Sequence, residues 1–143
     1  MKMELSGKHA IVCGSTQGIG LAAAMLMADR GAKITLVARN EEKLIDVKGG
    51  LSINDGQSHD YLVADFTKPD ELKATLDNYL AEGNNPHILI NNTGGPKGGP
   101  IIDAKISEFE EAFRQHLICN HILVQTIYPK MKENGYGLSL IHI

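Results

Sequence analysis

The sequence predicts an α/β fold, a doubly wound parallel sheet with helices packed on both faces. Three observations predict it. Short apolar runs alternate with helix-forming segments, the first run ends in a glycine turn that opens straight into a helix, and no repeat or low-complexity tract breaks the series. Strands buried on both faces read as unbroken apolar runs, and successive βα units wind right-handed into one sheet. The expected strand order is 3-2-1-4, with a fifth position beyond strand four. Ligands then belong where the order reverses, between strands one and four.

The elements follow in order. Residues 8–13, ending in HAIVC, read as strand one, and 18–30, rich in strong helix formers, as helix one with Gly31 as its stop. KITLVA at 33–38 is strand two, and a helix over 41–53 gives way at Asn54, Asp55 and Gly56. Strand three covers 58–64, and a helix over 69–82 begins with Pro69, whose fixed φ suits a first turn. HILIN at 87–91 is strand four. A long helix over 107–133 follows, opened by Ser107 with Glu110 three residues on, the pattern of a capping box. Phe109, Phe113, Leu117, Ile118 and Leu123 are expected to line it.

With 143 residues, 43% hydrophobic and 22% charged, the chain has one domain's worth of core. Its net charge of −3 gives no basic excess for nucleic acid, and no Lys/Arg run points to a membrane surface. The N-terminus MKMELSGKHAIV has neither a long apolar segment nor a small-residue cleavage site, so a cytoplasmic location is expected. Cys13 and Cys119 lack metal-ligand spacing and read as small buried hydrophobes. His116 and His121 stand five apart, not on one face as i, i+4 ligands do, so no metal site is expected.

The stretch that organises the chain is the turn after strand one, with glycines at 14, 18 and 20. Such a turn lets backbone approach a phosphate and aims the free N–H groups and positive dipole of the next helix at it. A dinucleotide pyrophosphate is the expected guest. At the end of strand two, about 20 residues on, an NAD-preferring fold usually carries Asp or Glu for the ribose hydroxyls. Here Val37, Ala38, Arg39 and Asn40 stand instead. A guanidinium binds a 2′-phosphate that a carboxylate would repel, so NADP(H) is favoured over NAD(H), with Ser15 and Gln17 as helpers of Arg39.

Gly14-Ser15-Thr16-Gln17-Gly18-Ile19-Gly20 resembles the cofactor loop of the short-chain dehydrogenase/reductase family. Further landmarks fall in that family's order across residues 5–137. The resemblance implies a Rossmann-like fold and an Arg39-Asn40 pair of the NADP-using kind. Asp65 would accept from the adenine amino group with the backbone of Phe66 contributing, although Asp65 suits a cap of the turn before Pro69 equally well. Asn91-Asn92-Thr93-Gly94-Gly95 resembles the family's N-N-A-G, with Thr93 where alanine is usual; Asn side chains would cross-link strand ends while Gly94 and Gly95 let backbone approach the ribose. The segment 96–100, PKGGP, would border the substrate, and Lys97 reads as a solvated loop lysine.

Asn120, in HLICNH, matches the asparagine of the family's Asn-Ser-Tyr-Lys tetrad. In the family it interrupts its helix and holds a water linked to the catalytic lysine. The other three members lie beyond this chain. Its one Tyr-x-x-x-Lys, Tyr128 to Lys132, is a decoy, since helices run antiparallel to the strands and this helix end falls at the far edge of the sheet. Tyr128 also lies ~12 Å along the helix from Asn120 at 1.5 Å per residue.

Residues 138–143, LSLIHI, stand in strand five's place and are also what the end of a transposase library adapter, CTG TCT CTT ATA CAC ATC, encodes. The expected division is therefore an incomplete NAD(P)-binding domain over 1–137 and an adapter-derived tail over 138–143. The resemblance implies a parent oxidoreductase moving a hydride between nicotinamide and a carbonyl or alcohol carbon of a small molecule. An acyl-thioester ketoreductase and a small sugar or alcohol dehydrogenase both fit, and a homo-oligomer is expected. The segment alone is expected to turn over poorly. Two other readings are a non-catalytic dinucleotide-binding module and a truncated product without function, left with an unpaired sheet edge.

Overall fold

A computed structural model describes residues 4–95 and 98–141, so Lys97 and the last two residues of the tail lie outside the described residues. The chain runs β1 (His9–Cys13), α1 (Gly18–Asp29), β2 (Lys33–Ala38), α2 (Glu41–Gly49), β3 (Asp60–Val63), α3 (Pro69–Ala81) and β4 (Ile88–Asn91). A 3-10 turn (Ile101–Asp103), α4 (Ile106–Phe113), a π-helical segment (Arg114–Ile118), α5 (Cys119–Glu133) and β5 (Leu138–Ile141) complete it. The sheet order is β3-β2-β1-β4-β5 and every pair is parallel. The topological reversal falls between β1 and β4, as the sequence predicts.

The two-residue period of a strand sorts β1 into two cores. Ile11 and Cys13 face α3 and α5 and pack with Leu72, Leu76, Leu123 and Ile127. Ala10 and Val12 face the opposite way and pack with Ala24, Ala28 and Leu44. All five residues of β1 are buried, as a central strand requires. Cys13 and Cys119 are both free and buried; burial pushes their thiols up, to about 12 and about 11. They are inert hydrophobes in this core.

Local differences from the sequence pattern have local causes. α2 ends at Gly49, short of 53, because Gly49 and Gly50 together remove the side chains that would hold another turn. β3 starts at Asp60, since the buried His59 ring, not its backbone, meets β2: Nδ1 accepts from Ile34 N at 3.0 Å. The last helix begins at Ile106 with Lys105 as its N-cap, and Glu108, not Glu110, reaches back to the N-cap amide at 2.7 Å. Ser107 thus sits inside the first turn and is not the cap. Of the residues expected to line the helix, only Leu123 is buried; Phe109, Phe113, Leu117 and Ile118 are all exposed.

At the strands' N-terminal edge lies a buried polar triad. Thr35 Oγ1 is 2.8 Å from His9 Nε2 and 2.6 Å from Tyr79 Oη. The His9 amide donates to Nδ1 of His87, 3.2 Å away. Burial, then the charge of Lys33 and the proximity of His87, lowers the His9 pKa to about 4. The folded state therefore holds His9 neutral, while the unfolded chain takes up its proton near the ordinary value of 6.5. Stability is flat above about pH 6.5 and declines as pH falls toward 4. At about 1.4 kcal/mol for each pKa unit, His9 alone removes on the order of 3 kcal/mol at the bottom of that window. Urea unfolding between pH 7.5 and 4 is expected to show this decline, with a shallower slope in His9→Gln.

Candidate functional site

The turn after β1 requires its glycines for two different reasons. Gly14 and Gly18 hold φ of 59° and 56°, a region that side chains disfavour. Gly14 and Gly20 are also packed against the end of β4: a Cβ on Gly14 would stand 2.5 Å from the Asn92 carbonyl oxygen, and one on Gly20 would meet the Gly14 carbonyl and Asn92 Nδ2. Asn92 Nδ2 in turn lies 3.5 and 3.4 Å from the carbonyls of Cys13 and Gly14. Asn91 ties β4 the other way, donating to Ser139 Oγ at 3.1 Å and the Leu140 carbonyl at 3.0 Å. The two asparagines thus fasten β4 to both of its neighbours.

Above this junction opens a cleft of about 720 Å³. Gly14, Thr16, Gln17, Gly18 and Ile19 form its floor, and Arg39 and Asn40 one end. Asp65 and Phe66 line it from the end of β3, beside β2, and Asn92, Thr93 and Gly94 form the rim over β4. Of the sequence-predicted site residues, Ser15, Gly20 and Asn120 do not line it. Ser15 is fully buried, and its Oγ accepts from Val37 N at 3.0 Å, so it latches the turn to β2 and is not placed beside Arg39.

Helix starts differ here in a way that bears on charge. At α2 Asn40 Oδ1 accepts from Lys43 N at 2.9 Å, and α3 and α4 carry acidic residues in their first turns. α1 has no side-chain cap and no acidic residue in its first turn. Its N–H groups and positive dipole end open on the cleft, a setting suited to an anion. Lys43 also lines the cleft, one turn beyond Arg39. The sequence reading missed it, although its place in the first turn after the Asn40 cap was signal enough.

Asp65 caps its turn and also faces the cleft. It lines the cleft, and Oδ1 accepts from Thr67 N at 2.9 Å and Thr67 Oγ1 at 2.8 Å. Burial pulls its pKa up, but these bonds and the charges of Arg39 and Lys68 outweigh that and hold it below the usual carboxylate value. After β4, α4 contributes Glu108 and Glu111 to the wall and the π-helical segment contributes Gln115.

Behind the rim the helix is interrupted by the π-helical segment, whose end comes two residues before Asn120. Asn120 is 6% exposed; Nδ2 donates to the His116 carbonyl at 2.6 Å, and Oδ1 has no partner. The helix residue that reaches the rim is His116, one turn earlier: its Nδ1 lies 2.7 Å from Thr93 Oγ1. Tyr128 and Lys132 do not line the cleft, and Tyr128 is 57% exposed. The C-cap Asn134 accepts from Asn85 Nδ2 at 2.6 Å, just before β4, which puts that end of α5 at the strands' opposite edge. Among the described residues no cluster of His, Cys, Asp and Glu is placed to hold a metal ion.

Sheet order, glycine turn and cleft define a dinucleotide-type α/β domain. The profile of the family described as short chain dehydrogenase matches residues 8–141, and the chain belongs to that family. It is 33% identical over 140 residues to a glucose 1-dehydrogenase of Gluconobacter oxydans, covering 98% of this chain and 53% of that protein. It is 31% identical over 139 residues to a 7alpha-hydroxysteroid dehydrogenase of Escherichia coli, covering 96% and 53%. The structure of an L-sorbose reductase from Gluconobacter frateurii, complexed with NADPH and L-sorbose, superposes with a TM-score of 0.89 at 28% identity, covering 99% of this chain and 54% of that one. The chain thus spans about half the length of the relatives it matches.

The junction of Gly14, Gly20 and Asn92 has a direct test. Gly20→Ala is expected to lower stability by about 1–3 kcal/mol, the cost of overpacking. Gly94→Ala, where an added Cβ meets nothing within 4 Å, is expected to change it by less than about 0.5 kcal/mol. Denaturant unfolding of the two variants measures the contrast.

Proposed function

We propose that this chain forms the NADP(H)-binding part of a short-chain oxidoreductase. One observation carries the reading: a single cleft joins an uncapped, acid-free helix start over a glycine turn to the paired cations Arg39 and Lys43. The helix start suits a pyrophosphate, and a guanidinium with an ammonium beside it suits a 2′-phosphate. A carboxylate that would select NAD is not at that end of the cleft. Gln17, Asn40, Phe66 and Gly94 give polar and backbone contacts along the same cleft, with Asp65 positioned for the adenine amino group.

A nicotinamide held by these residues would supply hydride chemistry toward a carbonyl or alcohol carbon. The sugar and steroid chemistry of the similar proteins is the substrate class proposed for the parent, with 3-oxoacyl thioesters as the other candidate. Asn120 enters as a buried amide one turn behind the rim, its Oδ1 suited to an ordered water. The whole protein is proposed to act in the cytoplasm. No helix of the described residues is long and apolar enough to cross a membrane. The adapter origin of residues 138–143 is a proposal resting on the identity of LSLIHI with the translated adapter end; in the fold, 138–141 form the exposed edge strand β5.

Phe109, Phe113, Leu117, Val124 and Tyr128 form an exposed apolar stripe at helical spacing along α4 and α5. A second copy of the chain is the proposed occupant. Phe113→Glu is expected to shift sedimentation from dimer to monomer.

Titration calorimetry tests the cofactor reading. NADPH is expected to bind at least about tenfold more tightly than NADH. Arg39→Ala is expected to weaken NADPH by about 10- to 100-fold, the worth of charge-assisted hydrogen bonds, and to leave NADH nearly unchanged. Equal affinity for both cofactors in the unaltered chain would remove the NADP assignment.

A further inference from the structure

The rim of the cleft is lightly tied to the rest of the fold. Thr93, Gly94 and Gly95 all line the cleft. A Cβ added at Gly94 or Gly95 would meet nothing within 4 Å, so no neighbouring atom crowds these two residues into place. Asn92 is anchored at the start of the segment, its side chain reaching the carbonyls of Cys13 and Gly14. Beyond it, among the described residues, one hydrogen bond joins residues 93–95 to another element: Thr93 Oγ1 lies 2.7 Å from His116 Nδ1.

His116 stands at the middle of the π-helical segment, and its carbonyl accepts from Asn120 Nδ2 at 2.6 Å, which ties the turn that carries the ring. The bond to Thr93 needs no particular tautomer. A threonine hydroxyl both donates and accepts, so it can meet Nδ1 bare or protonated, and the bond is available to the neutral ring and to the imidazolium alike. Glycine loses more backbone freedom on ordering than any other residue, and two follow Thr93 directly. A single tie at the near end of that pair therefore decides whether the rim is ordered before a ligand arrives or at the ligand's expense.

We infer that His116 is a positioning residue for the cleft: through Thr93 it latches the rim, residues 93–95, to the π-helical segment, so that a ligand meets an ordered edge. His116 touches no ligand in this role and acts only through Thr93. The inference deepens the dinucleotide reading above, on which its consequence for affinity rests. Alanine, usual at the position of Thr93 in the family, has no hydroxyl with which to make the latch.

Two measurements test it. Thr93→Val keeps the shape of the side chain and removes the bond. By NMR relaxation of the free protein, the amides of Thr93 and Gly94 are expected to show order parameters near the ~0.85 of rigid backbone and to fall toward ~0.6 in Thr93→Val and in His116→Phe, with those of β1 unmoved. NADPH affinity is expected to fall about three- to tenfold in each of these variants, the worth of one neutral hydrogen bond. Thr93→Ser and His116→Asn, which keep a hydrogen-bonding group in place, are expected to stay within about twofold of the unaltered chain. Thr93→Val with His116→Phe together is expected to lose no more than about twofold beyond either alone. A rim already mobile in the unaltered chain, order parameters unmoved by the single variants, full NADPH affinity in both of them, or additive losses in the double variant overturns the inference. Failure of the unaltered chain to bind NADPH removes the cofactor reading instead, and the order parameters still decide whether His116 holds the rim.

Discussion

The rest of the site depends on the close approach of the turn after β1 to Asn92 at the end of β4. A Cβ on Gly14 would meet the Asn92 carbonyl, and one on Gly20 the Gly14 carbonyl and Asn92 Nδ2. That contact joins two strands paired 78 residues apart in sequence, as the register sets Ile11 against Leu89. A cleft exists above it because the loops leaving the two strands diverge to opposite sides of the sheet. Chemistry placed over this point inherits its geometry from the packing of these three residues.

Charge is distributed along the cleft with the same economy. The α1 start is left without a counter-charge, whereas α2, α3 and α4 are capped or carry acidic first turns. Arg39 and Lys43 line the cleft from the end of β2 and from α2, Asp65 from the end of the neighbouring β3, and Glu108 and Glu111 from α4. Charges of both signs thus face whatever enters it.

Much of this was legible in the chain. The apolar runs place every strand, and the glycine spacing places the turn, because both depend on short-range rules of burial and backbone freedom. What was not legible depends on pairings far apart in sequence. Ser15 reads as a ligand contact until Val37 claims its hydroxyl. His59 reads as strand until its ring takes the Ile34 amide. His116 reads as an isolated histidine until Thr93 arrives from another element. The exposure of Phe109, Phe113 and Leu117 is the plainest case, since a periodic apolar stripe says that a face is covered without saying by what.

α1 buries Gly20, Ala24 and Ala28, the smallest side chains available, with Met27 partly buried beside them. At the three small residues the helix lies close against its neighbours, with little side-chain bulk to absorb a change in spacing. Ala24 sits ~9 Å along the axis from Gly18, at 1.5 Å per residue, so bulk added there tilts the helix about a distant pivot and swings its open end across the cleft. The phosphate-facing mouth is in this way geared to packing two turns away, and affinity there is set in part by residues that no ligand ever reaches.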